Sequence, residues 1–300
     1  MITQLVNMRR KPEFIAAWRD ILCRTFGWKK QDYFCLVPSL FGTRPVASCL
    51  PLLDHSHYQP EEARELLASG RYHKGRIRAL TNVTDMKPRH GQPVLMRLAL
   101  EGRNAEDIFS GSLQSVCRNR LRKSLKENYE LKTGKHESLI ADGYKVFLQI
   151  MQRHGTPAFP KSMFSHIATA GLGEMSVVYR EGLPVCMLFL VIDDDIAWIP
   201  WCGALEAEKR GSPNHLTHWA AIATSLARGV KIFDFGRSDF GGGTYVFKAK
   251  WGASPAVVEM ISAVNVDPYR FSLASRVWKK MPMFLTTAAG PWLARHLPDY

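Results

Sequence analysis

The chain has no uncharged apolar run approaching the ~18 residues that a membrane-spanning helix requires. It also lacks any Cys-x-x-Cys pair. Its six cysteines, Cys23, Cys35, Cys49, Cys117, Cys186 and Cys202, are scattered, so neither a zinc ribbon nor a disulfide framework is expected, and they read as small buried hydrophobes. The first residues, MITQLVNMRRKPEF, lack the basic-then-apolar layout of a signal segment, and a cytoplasmic chain is expected. No internal repeat stands out. Acidic residues are in short supply, 27 against 40 Lys and Arg, giving a net charge of +13. That balance favours anionic partners such as nucleic acid, a nucleotide cofactor, a sugar phosphate or an anionic membrane face, although a basic surface also serves plain solubility.

Three hundred residues with 46% hydrophobic content suit one large domain or two ordinary ones with full cores. Helical and strand patterns alternate along the chain, so the class is mixed α/β. Residues 11–26 carry Phe14, Ala17 or Trp18, Ile21 and Leu22 at helical spacing behind Pro12. Strands are expected at 32–39, 44–53, 75–84 and 94–100, with a helix at 60–69. His55 and His57 have no third ligand at a recognisable spacing, so a metal is not expected there. A basic helix is expected over 112–130. Arg118, Arg122 and Lys126 share one face, and Leu113, Val116, Leu121 and Leu125 form its apolar stripe. Such a face is either solvated or a phosphate contact. Helices at 139–153 and 162–170 lead into an antiparallel meander, 174–180, 184–192 and 196–202. The Asp193-Asp194-Asp195 turn within it suits backbone geometry better than a metal. Lys209, Arg210 and Gly211 then precede Ser212, a candidate N-cap, and Pro213 at the first helical position. The amide groups of a helix start beside two cations form an anion site, or a capped helix with nothing bound. The tail from Pro268 carries short basic amphipathic segments that lie on a membrane face or pack on the body, and packing is the preferred reading.

The central stretch is KIFDFGRSDFGGGTYVFKAKWGASP, Lys231 to Pro255. Period-2 alternation predicts a strand before the three glycines and a second strand over 245–251 after them, with Phe247 buried and Lys248 pointing across the sheet.

FDFGRS, the glycine loop, YVFKAKWGASP and HGTPAFPKSMF (His154 to Phe164) resemble the FemAB-related proteins of the GNAT acyltransferase superfamily. Within it the likeness is to the branch that accompanies exopolysaccharide and protein-sorting systems in bacteria. RNRLRKSLKENYEL (Arg118 to Leu131) is similar to the family's basic segment between two lobes. The resemblance covers about 112–265. It implies two tandem GNAT-like lobes, each a mixed, mostly antiparallel sheet flanked by helices. The division is 1–135 with the basic connecting helix, 136–265 as the acyltransferase domain, and 266–300 as a helical tail. It also implies acyl or aminoacyl transfer to an amine of a cell-envelope or exopolysaccharide precursor. The co-substrate would be acyl-CoA or aminoacyl-tRNA, with no metal and no DNA partner, in the cytoplasm or at the inner membrane face. The long helical hairpin that some members use for tRNA has no counterpart, and the CoA loop motif is matched only by Gly211.

Phe247 and Lys248 fall on the family's Phe-Lys pair, implied to stabilise the transferring ester. Ser212, Asn214 and Trp219 fall on the segment that starts the last long helix. In the chemistry this requires, Lys248 meets the carbonyl oxygen, Phe247 excludes water, and Arg237 and Tyr245 orient substrate. Asp234 is either the proton acceptor or a hydrogen-bonded structural residue. Lys209, Arg210, Gly211, Arg118 and Arg122 are the candidate donor contacts. No Ser–His–Asp or Cys–His arrangement is visible, so direct transfer is expected. The alternative is a non-catalytic protein holding an anionic polymer, tRNA or a membrane through its basic helix.

Overall fold

The computed structural model describes residues 8, 10–31, 34–38, 46–48, 65, 68–69, 74–80, 88–262 and 272–296. His55, His57 and most of the helix expected at 60–69 lie outside them. Two compact units divide the chain. The first is built from Met1–Arg10, Thr81–Phe147 and Ala168–Val258, and the second from Lys11–Leu80, Leu148–Ile167 and Glu259–Tyr300.

The first unit is a seven-strand sheet flanked by helices, in the order β11-β5-β10-β9-β8-β7-β6. Its strands are β5 (Pro93–Ala99), β6 (Glu130–Gly134), β7 (Gly173–Arg180), β8 (Leu183–Asp193), β9 (Ile196–Ala204), β10 (Ile232–Asp239) and β11 (Ser254–Ser262). Every neighbouring pair is antiparallel except β10 with β9. The expected meander is present as β7-β8-β9. VCMLFLV in β8 is buried on both faces, as a near-continuous apolar run in a central strand must be. Its turn aspartates are used locally: Asp195 pairs with Lys231 at 3.1 Å and Asp193 approaches Arg10 at 3.9 Å.

One core cluster joins Met96, Leu98, Leu190, Phe233 and Phe235 to two helices, α2 (Ser115–Lys126) and α5 (Pro213–Ala227). The face that α2 buries is Cys117, Leu121 and Ser124, continuing from Leu113. Val116 and Leu125, placed in the apolar stripe by sequence, are exposed instead. Wide π-type turns over Asp107–Ser112 rotate the helix entry, and the guanidinium of Arg118 donates to the carbonyls of Leu113 and Ser110 to hold that turn. Helix α5 starts as expected with Pro213 at its first position. Ser212, however, sits at φ +62° and makes no side-chain cap bond.

The second unit contains β1 (Lys29–Gln31), β2 (Phe34–Val37), β3 (Val46–Ser48) and β4 (Lys74–Leu80), paired in that order. Its helices are α1 (Pro12–Phe26), α4 (Lys161–Thr169), α7 (Ser272–Lys280) and α8 (Met283–His296), together with the end of α3 (Glu137–His154). Helix α1 buries Phe14, Trp18, Ile21, Leu22 and Phe26, the stripe read from its spacing, and stops at Gly27 in the left-handed region.

The largest departure from expectation follows the glycines. Residues Gly243–Ala249 form a helix, α6, not a strand. Val246 N–H donates to the Gly242 carbonyl at 3.0 Å, and Trp251 N–H to that of Lys248 at 3.0 Å. The apolar residues at 245, 247, 249 and 251 fit a period of two, but 247 and 251 also fit i, i+4. Tertiary packing of Phe247 and Trp251 on α5 decides between them.

Arg97 on β5 and Asp234 on β10 are both fully buried and paired at 3.0 Å. Removing one partner strands a charge in the core. Arg97→Met is expected to cost about 3–5 kcal/mol of stability, and adding Asp234→Leu to recover part of that loss. Urea unfolding of the two variants checks both.

Candidate active site

Strands β9 and β10 pair in parallel over three residues only: Ile232 with Ile196, Phe233 with Ala197 and Asp234 with Trp198. Beyond them β9 stays with β8 and β10 stays with β5, so the two strands part and a fork opens in the sheet. A β-bulge between Asp234 and Arg237 marks the parting. Gly236 sits there at φ +76°, and a Cβ on it would meet the Ile199 carbonyl at 3.2 Å. Glycine therefore satisfies both the backbone conformation and the closeness of the strands.

Asp234 fixes the bulge. One carboxylate oxygen accepts from Arg97 Nε at 3.0 Å and the other from Gly236 N–H at 2.7 Å. With both oxygens engaged and the residue buried, the geometry favours the structural reading of Asp234 over that of proton acceptor.

Lys248, in the last turn of α6, folds onto the same bulge. Its Nζ donates to the carbonyls of Gly236 at 3.0 Å and Arg237 at 2.8 Å. An ammonium has three protons, so one remains for an incoming oxygen. Desolvation pulls its pKa down to about 8, with Asp234 and Cys202 opposing and Arg237 assisting. The ammonium is thus half-buried against the fork.

Around it lies a ring cluster that sequence reasoning missed. His218 stacks on Phe235 (5.8 Å, 17°) and Trp251 (5.7 Å, 27°), and Phe247 stands edge-on to both His215 and His218 at 5.4 Å. His218 Nδ1 lies 2.6 Å from the Asn214 carbonyl, so Nδ1 carries the proton and Nε2 keeps its lone pair. Nε2 faces Cys202 Sγ at 3.9 Å. A Cys–His approach therefore exists, between β9 and α5, where 16 residues of separation hid it from motif reading. The i, i+4 spacing of Asn214 and His218 was the available signal.

The remaining candidates divide. Phe247 belongs to the cluster. Tyr245 packs on Phe240 at 4.7 Å, and the Arg237 side chain is exposed. Asn214 Oδ1 accepts from the Cys186 thiol at 3.2 Å, and Trp219 packs edge-on to Phe109 at 5.7 Å, so both face the protein interior. Lys209 pairs with Glu206 at 2.6 Å, and Arg210 is exposed beside it. Gly211 is wedged against Tyr129, whose phenol oxygen would lie 2.0 Å from any Cβ. Arg118 holds the π-type turn and Arg122 lies over the Phe109 ring at 5.2 Å. The cations whose fields reach His215 on α5 are instead Arg120 and Lys250. Three buried polar atoms here have no protein partner: His215 Nδ1, Ser238 Oγ and Trp251 Nε1. Among the described residues no group of three or more His, Cys, Asp or Glu is placed to hold a metal.

Burial holds His215 down to about 4 and His218 down to about 3, so both are neutral at pH 7. The unfolded chain takes up protons below its ordinary value of 6.5 while the folded chain refuses them. Stability is therefore expected to fall as pH drops from 6.5 towards 4, and ¹⁵N spectra to show no titration of either ring between pH 5 and 8. A melting series across that window checks the first and NMR the second.

Residues 114–249 match the sequence model of a family described as acetyltransferase (GNAT) domain. Comparison with curated proteins gives no match. Among solved structures, that of FemX is similar at a TM-score of 0.59 and 13% identity, covering 91% of this chain and 97% of that one. L-PGS from Bacillus licheniformis is similar at 0.58 and 14%, covering 91% and 98%. A conserved protein of unknown function from Bacteroides thetaiotaomicron follows at 0.54 and 11%, covering 85% and 91%. At these identities the likeness is one of fold. The fork, the Lys248 helix and every ring of the cluster except Trp251 fall inside the matched stretch, and the fold is that of the GNAT acyltransferases.

Proposed function

We propose that this protein transfers an acyl or aminoacyl group from acyl-CoA or aminoacyl-tRNA to an amine of a cell-envelope or exopolysaccharide precursor, with the reacting carbonyl in the fork between β9 and β10. One observation carries the reading: Lys248 Nζ, bound to two bulge carbonyls, has a third proton at the point where the strands part. A fixed cation beside a developing oxyanion is the largest single contribution available to acyl transfer. Phe247 and the two neutral imidazoles keep the surroundings apolar, which strengthens that charge.

The proton of the attacking amine does not go to Asp234, which is buried with both carboxylate oxygens engaged, nor to His218, whose buried ring stays neutral beside the Cys202 thiol; it balances the departing thiolate or ribose oxygen of the donor. Donor phosphates lie against the start of α5, among Arg120, Lys250, Lys209 and Arg210. Arg118 and Arg122, turned onto their own chain, contribute less. The unpartnered polar atoms of His215, Ser238 and Trp251 fit a site that substrate completes. The envelope or exopolysaccharide acceptor rests on the family resemblance of FDFGRS and YVFKAKW, as does the tandem arrangement of lobes.

Release of CoA from acetyl-CoA, or of uncharged tRNA from charged tRNA, in the presence of an amine acceptor tests the reading. Lys248→Ala is expected to lower turnover by about 10²–10³-fold with melting unchanged. A purely binding protein would respond to Arg120→Glu and not to Lys248→Ala. Because the active ammonium is lost as pH rises through about 8, wild-type turnover should fall above that value. Lys248→Arg, which stays charged, should flatten the alkaline limb. Turnover unaffected by Lys248→Ala would overturn the proposal.

A further inference from the structure

Helices α7 and α8 show their outer faces to solvent. Of the ten large apolar residues exposed among the described residues, six lie here: Leu273, Val277, Met283, Phe284, Leu285 and Trp292. Phe284 is 70% exposed, Leu273 68% and Trp292 56%. Their spacing is regular. Leu273 and Val277 are i, i+4 on α7, flanked by Arg276 and Lys280, and Phe284, Ala288 and Trp292 continue at i, i+4 on α8.

The opposite faces are engaged. Trp278 on α7 and Thr286, Gly290 and Ala294 on α8 are buried. Ser275 presses on Gly155, where a Cβ would lie 2.1 Å from its Oγ, and Gly290 packs on Ala158. Gly155 and Ala158 are neighbours in one turn, so both helices lean on the same piece of backbone and turn their apolar stripes away from it.

The charge pattern is one-sided. Residues 272–296 contain Arg276, Lys279, Lys280 and Arg295 and neither Asp nor Glu. Apolar stripes bordered by cations without a single anion complement an anionic lipid surface, where rings and aliphatics enter the headgroup layer and lysines meet phosphate. No helix among the described residues is long and apolar enough to cross a membrane, so such contact lies in the plane of the interface.

We infer that the outer face of α7 and α8 docks on a bilayer bearing anionic headgroups. The inference is independent of the acyl-transfer reading, because it needs no substrate and no turnover. Its test is flotation of the purified chain with vesicles of phosphatidylcholine alone, and of two parts phosphatidylcholine to one part phosphatidylglycerol. Wild type should float with the anionic vesicles, weakly or not at all with the neutral ones, and less as salt rises. Phe284→Ser/Trp292→Ser should cut that binding at least tenfold at unchanged melting temperature, and Arg276→Glu/Lys280→Glu likewise. Should the double variant fold poorly, Phe284→Ser alone serves. Three results overturn the inference: no flotation of wild type with anionic vesicles, undiminished flotation of the Phe284→Ser variants, or sedimentation as a dimer that these substitutions split, which assigns the face to a second copy.

Discussion

Everything at the fork depends on the Asp234 carboxylate. It is buried, and it is tolerable there because Arg97 neutralises it from the next strand and the Gly236 amide fills its second oxygen. Those two bonds bend β10 at a defined residue. The bend turns the carbonyls of Gly236 and Arg237 towards Lys248, and the lysine ammonium closes the arrangement. A charge deep in one strand thus sets the position of a second charge at the surface of the cleft, through backbone alone. A carboxylate buried and paired in this way serves the shape of the strand and stands out of reach of an incoming substrate.

The ring cluster supplies what the cation needs from its surroundings. Phe247, one residue before Lys248, packs with Phe235, Trp251 and the uncharged His215 and His218 in one cluster. Burial pulls the Lys248 pKa down to about 8. An ammonium poised this close to neutrality stays charged at physiological pH while remaining poorly solvated, and it gains most when an anionic oxygen arrives.

Much of this was legible in the residues. The mixed α/β class, the meander from Gly173 to Ala204 and the helix behind Pro213 were all readable from period and punctuation. The strand expected at 245–251 was not recoverable, because seven residues of alternating apolar character fit a strand and a short half-exposed helix equally well. The missing information was the position of α5, which lies outside the window. Val116 and Leu125 misled because the buried face runs through Leu113, Cys117, Leu121 and Ser124, where a thiol and a hydroxyl take positions that hydrophobicity alone gave to their neighbours. The Cys202–His218 approach was hidden because a strand and a helix far apart in sequence come together only in the folded sheet. Arg118 and Arg122 looked like ligand contacts by composition, and the structure spends one on carbonyls and the other on an aromatic ring.

The three-residue ladder between β9 and β10 has one more consequence. A sheet held across its middle by so short a seam is mechanically two plates joined at one end. Any extended molecule lying along the gap, offering amide groups to Ile199–Ala204 on one side and to the bulged strand on the other, becomes an eighth rung of the architecture. Such a molecule would bridge the two plates along the edge where their own ladder stops.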